Sequence, residues 1–113
     1  MNRNTIRQGD VLLIPCDFPE ILRGRQPIPT KNNRVVLALG EVTGHAHAIY
    51  DVIDREVEPK VRLWDTGVER FLQVIQRCEL CHEEHTAQEL IPGWYRLPTQ
   101  VEYTPAELRR VAD

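Results

Sequence analysis

The sequence predicts a mainly β protein in a single domain spanning residues 1–113, and three features carry that prediction. Short apolar runs rich in β-branched residues recur along the chain. Gly, Pro, Asn and Asp gather between them. Several runs alternate polar and apolar side chains with the period of two that sends successive residues to opposite faces of a strand. Many short strands separated by turns suit a small barrel, sandwich or roll.

In chain order, Gln8-Gly9-Asp10 reads as a turn, and Val11-Leu12-Leu13-Ile14 is a buried strand that Pro15 ends. Residues 15–33 form a long irregular excursion. Pro15, Pro19, Pro27 and Pro29 interrupt it, Lys31-Asn32-Asn33 closes it with a turn, and Ile21, Leu22 and Ile28 are expected to pin it to the core. A loop this long inside a small domain is often functional, which makes it a candidate contact for a protein partner. Arg34-Val35-Val36-Leu37-Ala38-Leu39 is apolar and β-branched, the mark of a strand. Residues 40–44 turn the chain, and residues 45–50 alternate, so His45, His47 and Ile49 share one face while Ala46, Ala48 and Tyr50 share the other. Weaker strands are expected at 52–57 and 61–64, and a longer one over 70–80 that runs into a second histidine pair. Residues 87–91 lead to the turn Pro92-Gly93, which launches strands at 94–97 and 100–103. Thr104-Pro105-Ala106-Glu107 offers an N-cap, a proline at the first helical position and a capping box, predicting a short C-terminal helix over residues 105–111.

Composition narrows the function classes. Hydrophobic residues make up 42% and charged residues 27% of the chain, a globular balance. No apolar run reaches the roughly 18 residues of a spanning helix, so no membrane role is expected. The first five residues lack the apolar stretch of an export signal, and the expected location is cytoplasmic. Three cysteines without such a signal argue against a disulfide framework. Net charge is −3, yet residues 1–34 carry six basic side chains against three acidic ones. That basic third leaves a phosphate-bearing or other small-molecule ligand open, and Arg34 or Arg96 could bind an anion if the histidines act without metal. Nucleic acid is not favoured, because the basic residues are too sparse for a binding face.

The chemistry-bearing residues are the histidines. All four fall in two pairs, His45-x-His47 and His82-Glu83-Glu84-His85. Two imidazoles at i and i+2 on a strand point the same way and can chelate one ion. Neutral imidazole suits Zn, Ni, Fe and related ions, and two or three histidines with a carboxylate form a common catalytic-metal set. The expected metal ligands are therefore His45, His47, His82 and His85, binding a divalent transition metal (Zn, Ni, Fe or Mn). Glu83 and Glu84 are the candidate catalytic carboxylates. The second pair is one residue short of the HExxH of zinc proteases. Asp51 and Glu102 are secondary candidates, either as ligands or as partners that orient an imidazole. Cys78-Glu79-Leu80-Cys81-His82 spells the CxxCH of covalent haem attachment. With no later methionine for a sixth ligand and no turn chemistry between the cysteines, buried inert thiols are expected instead.

Taken with Pro92-Gly93-Trp94-Tyr95, Gln100-Val101-Glu102-Tyr103 and Arg110-Val111-Ala112-Asp113, the segments Gly40-Glu41-Val42-Thr43-Gly44-His45-Ala46-His47 and His82-Glu83-Glu84-His85 resemble a group of small bacterial proteins of unassigned function. The resemblance spans most of the chain outside 15–33 and implies no activity. The HxH after a glycine turn, with Asp51 downstream, is also similar to the first motif of the cupins and implies a metal-binding β-barrel by analogy. In cupins a PxG precedes the second-motif histidine, whereas Pro92-Gly93 follows His82 and His85.

The leading functional expectation is a metal-dependent hydrolase whose ion activates water, with Glu83 or Glu84 moving the proton. Two alternatives remain: a non-catalytic binding subunit of a larger assembly, and a metal-independent histidine acid–base enzyme acting on phosphodiester or nucleotide substrates.

Overall fold

The computed structural model describes residues 3–39, 45–56, 58–98, 101–103 and 108–110. The described strands are β1 (Ile6–Gln8), β2 (Val11–Cys16), β3 (Arg34–Leu39), β4 (Ala46–Tyr50), β5 (Val61–Asp65), β6 (Arg70–Val74), β7 (Cys78–Leu80), β8 (Gln88–Leu90), β9 (Gly93–Leu97), β10 (Val101–Tyr103) and β11 (Leu108–Arg110). The mainly β expectation is met. A five-stranded antiparallel sheet in the order β1-β2-β9-β6-β5 is accompanied by three two-stranded ribbons, β3-β4, β7-β8 and β10-β11. Among the described residues the sheets do not close into a barrel: β1 and β5 stand at opposite edges of the large sheet and do not pair.

Alternation explains how the sheet covers two apolar layers. Val11, Leu13, Leu63, Leu72, Val74, Tyr95 and Leu97 face the main core, where they meet Val35, Leu37, Ile49, Leu80 and Leu90 of the ribbons. The next residues along, Trp64, Phe71 and Trp94, face the other way and pack with Leu22 and Cys16. Fully burying one such aliphatic side chain stabilises by about 1.5–3 kcal/mol, so both layers are needed to hold strands this short.

Several elements differ from expectation for local reasons. Residues 52–56 are irregular, because the amides of Val52 and Ile53 bond to the Asn33 carbonyl and Asn33 Oδ1 (3.2 and 2.6 Å) instead of joining a ladder. The long strand over 70–80 divides into β6 and β7, since the amides of Ile75 and Gln76 both turn to the Lys60 carbonyl. In the 15–33 excursion only Leu22 of the three expected pins is buried; Ile21 and Ile28 are 53% and 44% exposed. Ile28 is held by its main chain, its amide donating to the Leu63 carbonyl at 2.7 Å. The turn at its end forms as read: Asn32 and Asn33 both have φ of 54°, and the Arg34 amide closes on the Lys31 carbonyl at 3.1 Å. Two consecutive left-handed residues suit asparagine, which tolerates that region better than other side chains.

The expected C-terminal helix is corrected where the chain is described. Leu108–Arg110 pairs antiparallel with Val101–Tyr103, and the capping box at 104–107 lies outside the described residues. A helix of about two turns is marginal on its own, and the backbone of β10 offers those residues a ladder instead. The turn at 40–44 also lies outside the described residues.

Candidate metal centre

The ribbon β3-β4 brings the first histidine pair to the site. A register shift between Val36 and Ala38 sets Ala38 opposite His47. Such bulges re-aim side chains locally. Ala46, His47, Ala48 and Ile49 are all buried, so β4 is covered on both faces, and His45 lies just before it, about one-third exposed. The small alanines let neighbouring backbone come close. Ala48 and Cys81 exchange both backbone hydrogen bonds, at 2.9 and 2.8 Å, in an isolated bridge. That bridge delivers His82, the next residue, beside His47.

The two pairs, separated by some forty positions in sequence, share one place. The His47 and His82 rings stack with centroids 4.2 Å apart, His82 and His85 lie at 4.6 Å, His47 and His85 at 5.7 Å, and His45 and His82 at 5.8 Å. His47, His82 and His85 each offer a ligand nitrogen within 4.8 Å of the others. A second group, His45, His82 and Glu83, does the same and shares His82. Burial grades across the first set, from fully buried His47 through half-buried His82 to exposed His85.

Gln8, which had been read only as part of a turn, organises the cluster. Its Nε2 donates to the carbonyls of Leu80 and Thr86, at 2.9 and 3.0 Å. Two carbonyls demand the amide NH2 group, so Oε1 is the atom 2.9 Å from His47 Nδ1 and must accept from it. His47 therefore carries its proton on Nδ1, and Nε2 keeps the lone pair available to a metal. The same side chain ties His47 to the beginning and end of the segment that carries His82 and His85. Gln8 is 3% exposed. The sequence signal was slight: Ile6 and Gln8 share a strand face, and Ile6 packs on the core, which turns Gln8 inward.

The carboxylates take different positions. Glu83 Oε2 accepts from the Ala46 amide at 3.2 Å, and Glu84 Oε1 lies 2.9 Å from His45 Nδ1. The backbone amide of Glu83 itself does most to hold its carboxyl below the usual carboxylate range. Burial opposes this, while the Ala46 amide and the nearby His45 and His82 assist. The Glu84 amide donates to His82 Nδ1 at 3.0 Å. An ion taken at that nitrogen replaces the amide. An ion taken at Nε2 requires the proton on Nδ1, which turns the amide away. In both cases the 82–85 turn must rearrange.

The other candidates lie apart. Asp51, exposed and left-handed with φ of 52°, belongs to neither ligand group. Side chains at 101–103, Glu102 included, lie outside the described residues. Arg96 reaches toward Glu69, at 3.9 Å. Cys78 is buried and its thiol is pushed up to about 11 by desolvation, as suits an inert side chain; Cys81 is half-buried.

Fold and cluster together define a small, mainly β protein with a polar site of four imidazoles held against its core. The chain belongs to the family described as a domain of unknown function, DUF8820, whose model matches residues 7–100. Gln8 and all four histidines fall inside that match, while β10 and β11 lie beyond it. No curated protein and no solved structure matches the chain significantly. No helix among the described residues is long and apolar enough to cross a membrane.

Proposed function

We propose that the protein binds a divalent transition metal through His47, His82 and His85, and that the ion activates water for hydrolysis. The observation behind this reading is the three imidazoles with ligand nitrogens within 4.8 Å of one another, one of them fixed by Gln8 in a single tautomer. An orienting hydrogen bond to the far nitrogen of a ligand histidine is the usual companion of a metal site. Three histidines would leave room for a water on a bound metal, and exposed His85 gives the set a solvent-facing side. A metal in this set supplies a water of lowered pKa and a Lewis acid. Glu83, anchored to the Ala46 amide, holds the entry to β4 and serves as a further ligand on the His45 side. Glu84, exposed and beside His45, is the carboxylate suited to carry a proton to and from solvent.

His47 has no exposed surface and cannot touch a substrate, so metal-free acid–base chemistry would rest on His45, His82 and His85 and leave the Gln8-oriented His47 without a role, whereas a metal would use it. Binding without catalysis uses the same ligands and differs only in outcome.

The test is metal analysis of tag-free protein followed by titration with Zn, Ni, Mn and Fe(II) under thermal-shift readout. Binding to the folded state raises its melting temperature. Near-stoichiometric uptake, lost in His82→Ala, is expected; no uptake and no shift with any of the four ions would remove the proposal. Hydrolysis is tested on bis-p-nitrophenyl phosphate and p-nitrophenyl acetate with the loaded protein. Turnover that falls in Glu84→Gln while metal content holds supports the hydrolytic step, and a loaded but inert protein reduces the reading to metal binding.

A further inference from the structure

A second cavity, of about 400 Å³, opens between the 28–32 loop, the start of β3 and the β5-β6 hairpin. Its volume falls within the range of small-molecule sites, roughly 300–1,000 Å³. Its wall is two-sided in character. Ile28 and Leu63 supply apolar surface, while Lys31, Arg34 and Arg70 face one acid, Asp65. Asp65 is already engaged, its Oδ1 accepting from the Gly67 amide at 2.8 Å. Arg70 stands directly opposite Asp65 in the β5-β6 ladder, which leaves Lys31 and Arg34 as the cavity's local excess of positive charge in a chain of net charge −3.

The turn geometry sharpens the point. Lys31 and Arg34 form an isolated antiparallel bridge around Asn32 and Asn33. Directly opposed residues on such a ribbon hold their Cβ atoms about 4.5–5.5 Å apart, and like charges there are mutually destabilising. The turn, tightened by two left-handed asparagines, sets the two residues directly opposite one another, so both cations start from neighbouring Cβ atoms. Among the described residues neither side chain makes an ion pair. An anion between them would convert that repulsion into two attractive contacts. Arg70 lines the same wall, its Nη1 donating to the Leu37 carbonyl at 2.7 Å.

We propose that this cavity binds a small organic anion, its carboxylate or phosphate held by Lys31 and Arg34 and its apolar body lying against Ile28 and Leu63. Apolar walls of low dielectric strengthen the field of the cations and favour an amphiphilic ligand over a bare ion. The 15–33 excursion thereby acquires a role: it carries one wall of the cavity and ends in the turn that supplies a cation. The site is independent of the histidine cluster and stands whether or not that cluster binds metal.

The experiment is a ¹⁵N-correlation titration of the full chain with phenyl phosphate, inorganic phosphate and benzyl alcohol, repeated with Arg34→Gln, Lys31→Gln and, as control, Arg55→Gln. Phenyl phosphate should shift the amides of residues 28–34 and Leu63 saturably, more tightly than either half-ligand. Loss of one charge-assisted contact should weaken it about tenfold in Arg34→Gln and in Lys31→Gln, with Arg55→Gln unchanged. Lys31 is exposed, so its variant keeps the test decisive should Arg34→Gln fold poorly. Absence of saturable shifts at the cavity, shifts confined to residues 45–47 and 82–85, or equal weakening in the Arg55→Gln control would each overturn the proposal.

Discussion

Replacing Gln8 tests the organisation of the histidine cluster at its least expected residue. Gln8→Ala removes three hydrogen bonds from one buried side chain, two to the carbonyls of Leu80 and Thr86 and one to His47 Nδ1. The Leu80 carbonyl and the His47 ring are buried and lose the partner that Gln8 supplies. The Thr86 carbonyl lies nearer solvent and can take a water. Leaving a buried polar group unsatisfied costs about 1–3 kcal/mol, so the two together cost about 2–6 kcal/mol. A domain of this size has about 5–15 kcal/mol of stability, so the loss is a large fraction of the total. The variant's melting temperature should fall by roughly 8 °C or more, at about 4–8 °C per kcal/mol. Long-range ¹⁵N–¹H spectra of the imidazoles should report a single Nδ1–H tautomer for His47 in the native protein and a mixture in Gln8→Ala. Metal affinity should drop by about 10–100-fold, the usual effect of removing an orienting partner. Gln8→Glu separates the two roles. It keeps an acceptor for His47 Nδ1–H but turns an oxygen toward two carbonyls, so it should be at least as destabilised as Gln8→Ala while retaining the tautomer. A native His47 protonated on Nε2, or a Gln8→Ala variant as stable as the parent, would refute this account.

Three further outcomes follow. His85→Ala should lower metal affinity while hardly changing the stability of the metal-free protein, because His85 is exposed; isothermal titration beside apo-protein melting reads both, and equal metal affinity would remove His85 from the ligand set. Cys78 should resist iodoacetamide at pH 8 while Cys16 and Cys81 react, because burial raises its thiol from 9.0 to about 11 and leaves only about a thousandth of it as thiolate at that pH. The folded thiol thus holds its proton more tightly than the unfolded one, so this stabilising contribution is complete below pH 9.0 and lost as pH rises through about 11, which alkaline unfolding midpoints of Cys78→Ala and parent will check. Gly93→Ala should lose about 1–3 kcal/mol by denaturant unfolding, since Gly93 sits at φ of 145° and an added methyl would lie 2.5 Å from the Arg3 guanidinium that bonds the Trp94 and Cys16 carbonyls.

What the sequence made legible was its local periodicity. The strands around Val11, Arg34 and Tyr95, the Asn32-Asn33 turn and the alternation through His47 all follow from residues within a few positions of one another. The failures share a different cause. Val52 and Ile53 have strand-forming side chains, but the Asn33 carbonyl and side chain, some twenty positions away, take their amides. Arg70 to Leu80 looks continuous until Lys60 claims the amides of Ile75 and Gln76. Thr104-Pro105-Ala106-Glu107 signals a helix start, yet Leu108–Arg110 finds a partner strand in Val101–Tyr103. In each case a distant backbone group decides where the hydrogen bonds go, and local propensity is too weak to resist it.

The histidine cluster obeys the same logic in reverse. Its residue types were visible because chemistry concentrates in few side chains, and pairing at short spacing gave each pair a common direction. Their meeting depends on the Ala48–Cys81 bridge, which no periodicity announces. Small side chains at Ala46 and Ala48 permit that approach, and Gln8 fixes it, since one amide group bonds both ends of the second histidine segment and the buried ring of the first. A leucine at position 8 would satisfy the apolar pattern set by Ile6 and take from the buried Leu80 carbonyl and His47 ring the partner that Gln8 supplies. The polar residue at this core position therefore belongs to the histidine cluster, and the orientation it gives one imidazole is what the proposed metal site would use.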